Sequence, residues 1–183
     1  MRVEPSAARG RSYDGEYMRV GKEGEMLAFE FLRSRPDIAL VTDVREQESY
    51  QHRDIDFVVR TTRGQTVNVE VKRDIHLGTS GNVLFELARI YHTAHPNFCV
   101  KLGWSVRSGA DIFLFYAPST EEMYLCGAKR FRKALQDYTY HARQRTQLRL
   151  IPTDAIKSTL NVLVPWEDCE DIFKVYSMRE ETA

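Results

Sequence analysis

The run from Asp54 to Lys72, "DIDFVVRTTRGQTVNVEVK", constrains the fold more tightly than any other stretch of the chain. Ile55, Phe57 and Val59 recur at every second position, as do Val67, Val69 and Val71, the period of a strand with one buried face. Between the two runs lies "TTRGQ", a hairpin signal with glycine in the turn. A loop of Thr62, Arg63 and Gly64, with the glycine in the left-handed position, sets Thr61 opposite Gln65 and Asp56 opposite Glu70. The apolar side chains then share one face, while Asp56, Glu70 and Lys72 share the other. A slip of one residue would scatter both sets, so the match is conditional on that loop. Lys72 follows Glu70 along the same face at roughly 6.5–7 Å.

Upstream, "VGKEGEMLAFEFLRSRPD" places Leu27, Ala28, Phe31 and Leu32 at helical spacing and ends at Pro36. "IALVTDV" is a strand candidate, followed by the polar loop "REQESYQHR". Downstream, "GNVLFEL" is a candidate extension of the same sheet, "YHTAHPNF" is irregular, and "DIFLFYA" reads as a buried strand paired with "EEMYLCG". "AKRFRKALQDYTYHARQ" reads as a basic, aromatic-bearing helix, and the remainder as short pieces. A helix, a run of strands and a second helix point to an α/β fold, a central mixed sheet flanked by helices. The expected organisation is a mobile arm over 1–18 and a single domain over 19–183.

Lysine plus arginine and aspartate plus glutamate both number 26, giving a formal net charge of zero. Any footprint for a polyanion must therefore be local. Cys99, Cys126 and Cys169 are far apart and form no CxxC pair, which suits a reducing compartment better than disulfides or structural zinc. No stretch approaches the ~18 apolar residues of a membrane span, and the start lacks the apolar run of a signal peptide. A cytoplasmic chain with no membrane partner is expected.

Glu25 lies at the margin of the apolar stripe of the first helix, close in angle to Phe29 and Leu32. It is the glutamate that a packed helix would aim toward the sheet, and a carboxylate there is costly without a partner. Gathered with Asp56 and Glu70 it would make an oxygen-rich site beside Lys72. Such sites suit Mg²⁺ or Mn²⁺, which keep water and bind phosphate alongside one or two carboxylates. A neighbouring lysine adds a point charge for a phosphoryl transition state.

"GKEGEMLAFEFL", "DIDFVV" and "VNVEVK" together resemble the core of the PD-(D/E)XK (restriction-endonuclease-like) nuclease superfamily, most closely its Holliday-junction-resolvase-like and phage-type branch. "TSGNVLFE" and "GWSVRSGADIFLFY" are similar to later segments of that group. The resemblance implies a restriction-endonuclease-like fold and a metal-dependent endonuclease acting on DNA, selective for structure more than for long sequence, with RNA left open. It implies catalytic roles for Glu25, Asp56, Glu70 and Lys72, with Mg²⁺ (or Mn²⁺) on Asp56, Glu70 and the carbonyl of Val71. It also implies that a homodimer could address two strands. Asp54 shares the face of Asp56 and could displace it as ligand; Asp56 is preferred because it abuts "FVV" and pairs with Glu70.

Each motif also has a plainer reading. An E-x-K strand taken alone is more often a solvated ion pair. Glu25 could simply be an acid favouring its helix dipole, and the whole fold could bind nucleic acid or protein without cutting. The segment 127–149 carries seven basic residues against Asp137 alone. Lys129, Arg130, Arg132 and Lys133 are therefore candidates for phosphate contacts, with Phe131, Tyr138 and Tyr140 available to stack on bases, unless those rings are buried. Thr79, Ser80 and Asn82 are candidates for a loop along a phosphate backbone. His92 and His95 lack further ligands at useful spacing, nothing ties His52 to the site, and Trp104 is assigned to the core.

Overall fold

The computed structural model describes residues 13–74, 76–92, 99–141, 147–153 and 157–179. In chain order the elements are α1 (Tyr13–Ser34), β1 (Ile38–Asp43), α2 (Glu48–Gln51), β2 (Phe57–Thr61), β3 (Thr66–Arg73), β4 (Asn82–Tyr91) and β5 (Cys99–Leu102). They continue as α3 (Trp104–Arg107), β6 (Ile112–Ala117), β7 (Glu122–Gly127), α4 (Ala128–His141), β8 (Gln147–Pro152), β9 (Lys157–Pro165) and β10 (Phe173–Ser177).

The β2–β3 hairpin has the register that its alternation predicts. Phe57 faces Val69 and Val59 faces Val67. Thr61 N–H donates to the Gln65 carbonyl at 2.8 Å, and Gly64 holds φ +80°, a conformation that glycine adopts without penalty. The hairpin sits in a six-stranded mixed sheet of order β1-β2-β3-β6-β7-β10. Within it β6 runs parallel to β3, pairing Glu70 with Phe113 and Lys72 with Phe115. Asp111 secures that pairing, its carboxylate accepting from both the backbone and the side-chain amide of Asn68.

β4 departs from expectation. It belongs to a second sheet of order β5-β4-β9-β8, because β6 already occupies the open edge of β3 and β9 offers β4 a long antiparallel partner. The helix α1 starts at Tyr13, so the part of the expected arm from 13 to 18 is helical; residues 1–12 lie outside the described set. Within "REQESYQHR", Glu48–Gln51 forms a single helical turn.

Two apolar clusters sandwich the larger sheet. On one face α1 lays Ala28, Phe31 and Leu32 on Phe57, Val69, Val71 and Leu114. On the other, α4 and the smaller sheet bring Phe131, Phe85, Val83 and Val162 onto Phe113 and Phe115, with Trp104 among them. Alternation along β3 therefore turns Val69 and Val71 toward α1 and sends Glu70 and Lys72 to the aromatic side. All three cysteines are free, and burial pushes the thiols of Cys126 and Cys169 up to about 12. No helix among the described residues is long and apolar enough to cross a membrane.

Candidate functional site

Asp56 stands at the open end of the hairpin. Its backbone N–H donates to the Val69 carbonyl at 2.9 Å, and its Oδ2 accepts the Val71 N–H at 2.7 Å. That second bond fixes the carboxylate across the strand gap, beside Glu70. Burial raises the Asp56 pKa above the ordinary carboxylate range, against the pull of the Val71 amide and of Lys72.

Glu70 is 4% exposed and lies beside Phe113 in the parallel pairing. Its carboxylate is ion-paired with the Lys72 ammonium. Burial among aromatic rings pushes Glu70 up to about 8; Asp56 and Asp54 add to the rise and Lys72 opposes it. Burial by itself would lower Lys72, yet the charges of Glu70, Asp56 and Asp54 hold it above its ordinary value. Lys72 thus keeps its proton through the neutral range. Its Nζ also stands 5.1 Å from the centroid of the Trp104 ring, a cation–π contact.

Trp104 is 6% exposed and packs edge-on against Phe113 and Phe115, so its assignment to the core holds. The added role is as a platform under Lys72. Its backbone is held by β4: Glu86 Oε1 accepts the Trp104 N–H at 3.3 Å, and Gly103 N–H donates to the Leu87 carbonyl at 2.7 Å. No spacing between Lys72 and Trp104 in the sequence announces that contact.

Glu25 is placed differently from the expected three-carboxylate cluster. Arg45 Nη1 donates to Glu25 Oε2 at 2.6 Å, and the same guanidinium grips Asp43 through Nε at 2.9 Å and Nη2 at 2.5 Å. The hydrogen bond from Arg45 holds Asp43 below the usual carboxylate range. Arg45 also lies 5.3 Å from the Phe57 ring centroid, so it anchors Glu25 to the α1 side of the sheet. The charge of Glu25 still reaches Asp56. Among the described residues, no group of three or more His, Cys, Asp or Glu side chains is gathered to hold a metal ion.

Asp54 has a different partner from Asp56. Its Oδ1 is 2.6 Å from Arg107 Nη2, and its Oδ2 is buried without a partner. Val71 stands between Glu70 and Lys72 on β3 and supplies its amide to Asp56.

The donor set fits a small divalent cation. Asp56 and Glu70 set two carboxylates against the one ammonium of Lys72, and Asp54, paired with Arg107, leaves one buried oxygen without a partner. Two adjacent carboxylates are the complement that Mg²⁺ takes while keeping water and phosphate as its other ligands.

The candidate nucleic-acid residues divide. Lys129 and Arg130 are exposed. Arg132 is engaged as a strap, donating from Nε to the Ser105 carbonyl at 3.1 Å and from Nη2 to the Ser108 carbonyl at 2.5 Å. Lys133 pairs with Asp137 on the helix surface. Phe131 and Tyr138 are buried, which removes them as stacking rings; α4 uses its aromatic stripe to bind the sheet. Thr79 and Ser80 are exposed and Asn82 half-buried, the Ser80 and Asn82 side chains closing a local turn. His92 bonds Ser158 at 2.8 Å and His52 pairs with Glu48. His95 and the Tyr140 side chain lie outside the described residues.

No family model and no curated protein matches the sequence. Among solved structures, the chain is similar to that of a bacterial homing endonuclease, I-Ssp6803I, at 16% identity with a TM-score of 0.46, covering 63% of this chain and 72% of that one.

Proposed function

We propose that the chain is a divalent-cation-dependent nuclease that hydrolyses phosphodiester bonds in DNA, of the PD-(D/E)XK kind. The observation that carries this reading is the juxtaposition of half-buried Asp56 with buried Glu70, whose carboxylate is ion-paired with Lys72. Asp56, Glu70 and the Val71 carbonyl would hold Mg²⁺ or Mn²⁺. When bound, such a cation activates water and neutralises charge on a phosphoryl group.

The chain's own groups supply the rest. The Val71 N–H locks Asp56 in one orientation, so its carboxylate needs no rearrangement on binding. Lys72 keeps its proton at Nζ and presents it to the phosphoryl oxygen on which charge builds. The Trp104 ring and its aromatic neighbours exclude water from that face and strengthen the interaction. Lys129, Arg130, Thr79 and Ser80, with Lys133 beside Asp137, are the exposed groups from the candidate set that would steady the DNA backbone. Selectivity would follow DNA structure more than long sequence.

The test is cleavage of labelled duplex, single-strand, flap and four-way-junction DNA with Mg²⁺, Mn²⁺ or EDTA, beside Glu70→Ala and Lys72→Ala. Cation-dependent cutting that falls about 100-fold or more in both variants supports the reading. Arg45's hold on Glu25 favours one alternative, a nuclease-like fold that grips nucleic acid without cutting it. Tight DNA binding with no cleavage under any cation would establish that alternative instead.

A further inference from the structure

The loop that leads into β2 holds a carboxylate in an unusual backbone conformation. Asp54 holds φ +49°, the left-handed region that side chains other than glycine adopt uncommonly. Its side chain is 13% exposed, with Oδ1 on Arg107 Nη2 at 2.6 Å and Oδ2 buried without a partner. A buried carboxylate oxygen left unpaired is costly, and strain of this sort persists where a site makes use of it.

The ion pair is one of several ties at this junction. Ser108 Oγ already donates to the Asp54 carbonyl at 3.1 Å, and Gly109 N–H to the Arg53 carbonyl at 2.7 Å. Those bonds tie the loop to the segment after α3 without either charged side chain. What the pair does set is the direction of the guanidinium. Arg107 follows Trp104 by one turn of α3, and the Trp104 ring carries the Lys72 ammonium. The charge of Asp54 acts on both Glu70 and Lys72. Arg107 is exposed, and its contact with Asp54 joins it to a carboxylate whose charge reaches that group.

We propose that Arg107 binds a DNA phosphate beside the scissile bond and that Asp54 is the positioning residue that aims it. The inference rests on the nuclease reading and adds a residue to it. A guanidinium held at one nitrogen by a fixed carboxylate can turn its other donors to a phosphate, and its planar fork matches phosphate oxygens in pairs. Lys72 and Arg107 then divide the work: one serves the phosphate that reacts and the other a neighbouring one.

The test combines duplex binding in EDTA across a range of salt with single-turnover cleavage in Mg²⁺, on the full chain and on Arg107→Gln, Arg107→Lys and Asp54→Asn. Arg107→Gln is expected to bind about tenfold more weakly, with a log–log salt slope shallower by about one. Arg107→Lys keeps the slope but cuts about tenfold more slowly, since an ammonium lacks the fork. Asp54→Asn also keeps the slope and loses rate, with little change in the substrate concentration needed for half-saturation. If all three variants lose melting temperature together while slope and rate per folded molecule match the unmodified chain, the pair is structural and the proposal is overturned. If the unmodified chain does not cut with any divalent cation, the nuclease reading fails, and the salt slope still decides whether Arg107 meets phosphate.

Discussion

Glu70 is the residue whose environment has the sharpest consequence. Burial beside Phe113 raises its pKa from 4.5 to about 8 against the opposing pull of Lys72, so ionising Glu70 costs more in the folded chain than in the unfolded one. The stability that this burial contributes is fully present below about 4.5 and is lost as pH rises through about 8. In EDTA the melting temperature should therefore fall across this window, and Glu70→Gln, which cannot ionise, should fall less. Mg²⁺ should raise the melting temperature more at the alkaline end, because it competes with the proton for the same oxygens. Parallel pH curves for the two proteins would show that Glu70 is not held as the structure places it.

At the scale of elements, the junction of β4 with α3 governs how Lys72 is seated. Gly103 lies so close to β4 that an added Cβ would strike the Glu86 carbonyl oxygen and the Leu87 backbone. Backbone atoms cannot swing aside as a side-chain end can. Gly103→Ala is expected to cost at least ~1–3 kcal/mol and to shift Trp104 under the ammonium. Denaturant unfolding measures the first effect and the near-ultraviolet dichroism of the indole the second. Gly127→Ala is the control, since a Cβ there meets open space; equal losses in both variants would remove close approach as the cause. The α1 side shows the same logic with charge, where Arg45 decides which way Glu25 faces.

For the whole molecule, the two sheets share one core. Phe85 of the smaller sheet stacks on Phe131 of α4 at 4.1 Å, and Phe131 meets Phe113 of the larger sheet at 5.0 Å. Neither sheet can expose that face without exposing the other's. Unfolding should accordingly be a single cooperative transition, with far- and near-ultraviolet signals coincident. Phe85→Ala removes a side chain with no solvent exposure and should destabilise the protein by about 3–5 kcal/mol, shifting both signals together. Separate transitions in the variant would mean that the sheets fold as independent units.

What the sequence determines by itself is local and periodic. Period-two alternation and one glycine specify the β2–β3 register, and with it the meeting of Asp56 and Glu70, because a slipped strand would turn the charged side chains onto the apolar face of α1 and the valines away from it. The stripe of Ala28, Phe31 and Leu32 specifies the buried face of α1 for the same reason. Other features belong to tertiary structure alone. "GNVLFEL" alternates as either sheet would require, so only the competition for the edge of β3 assigns it. Arg45 on Glu25, Trp104 under Lys72 and Arg107 on Asp54 each join residues whose spacing carries no pattern. A charged side chain takes its partner from whichever surface the packed elements bring to it, and that choice is made only when the sheets and helices close on their shared core.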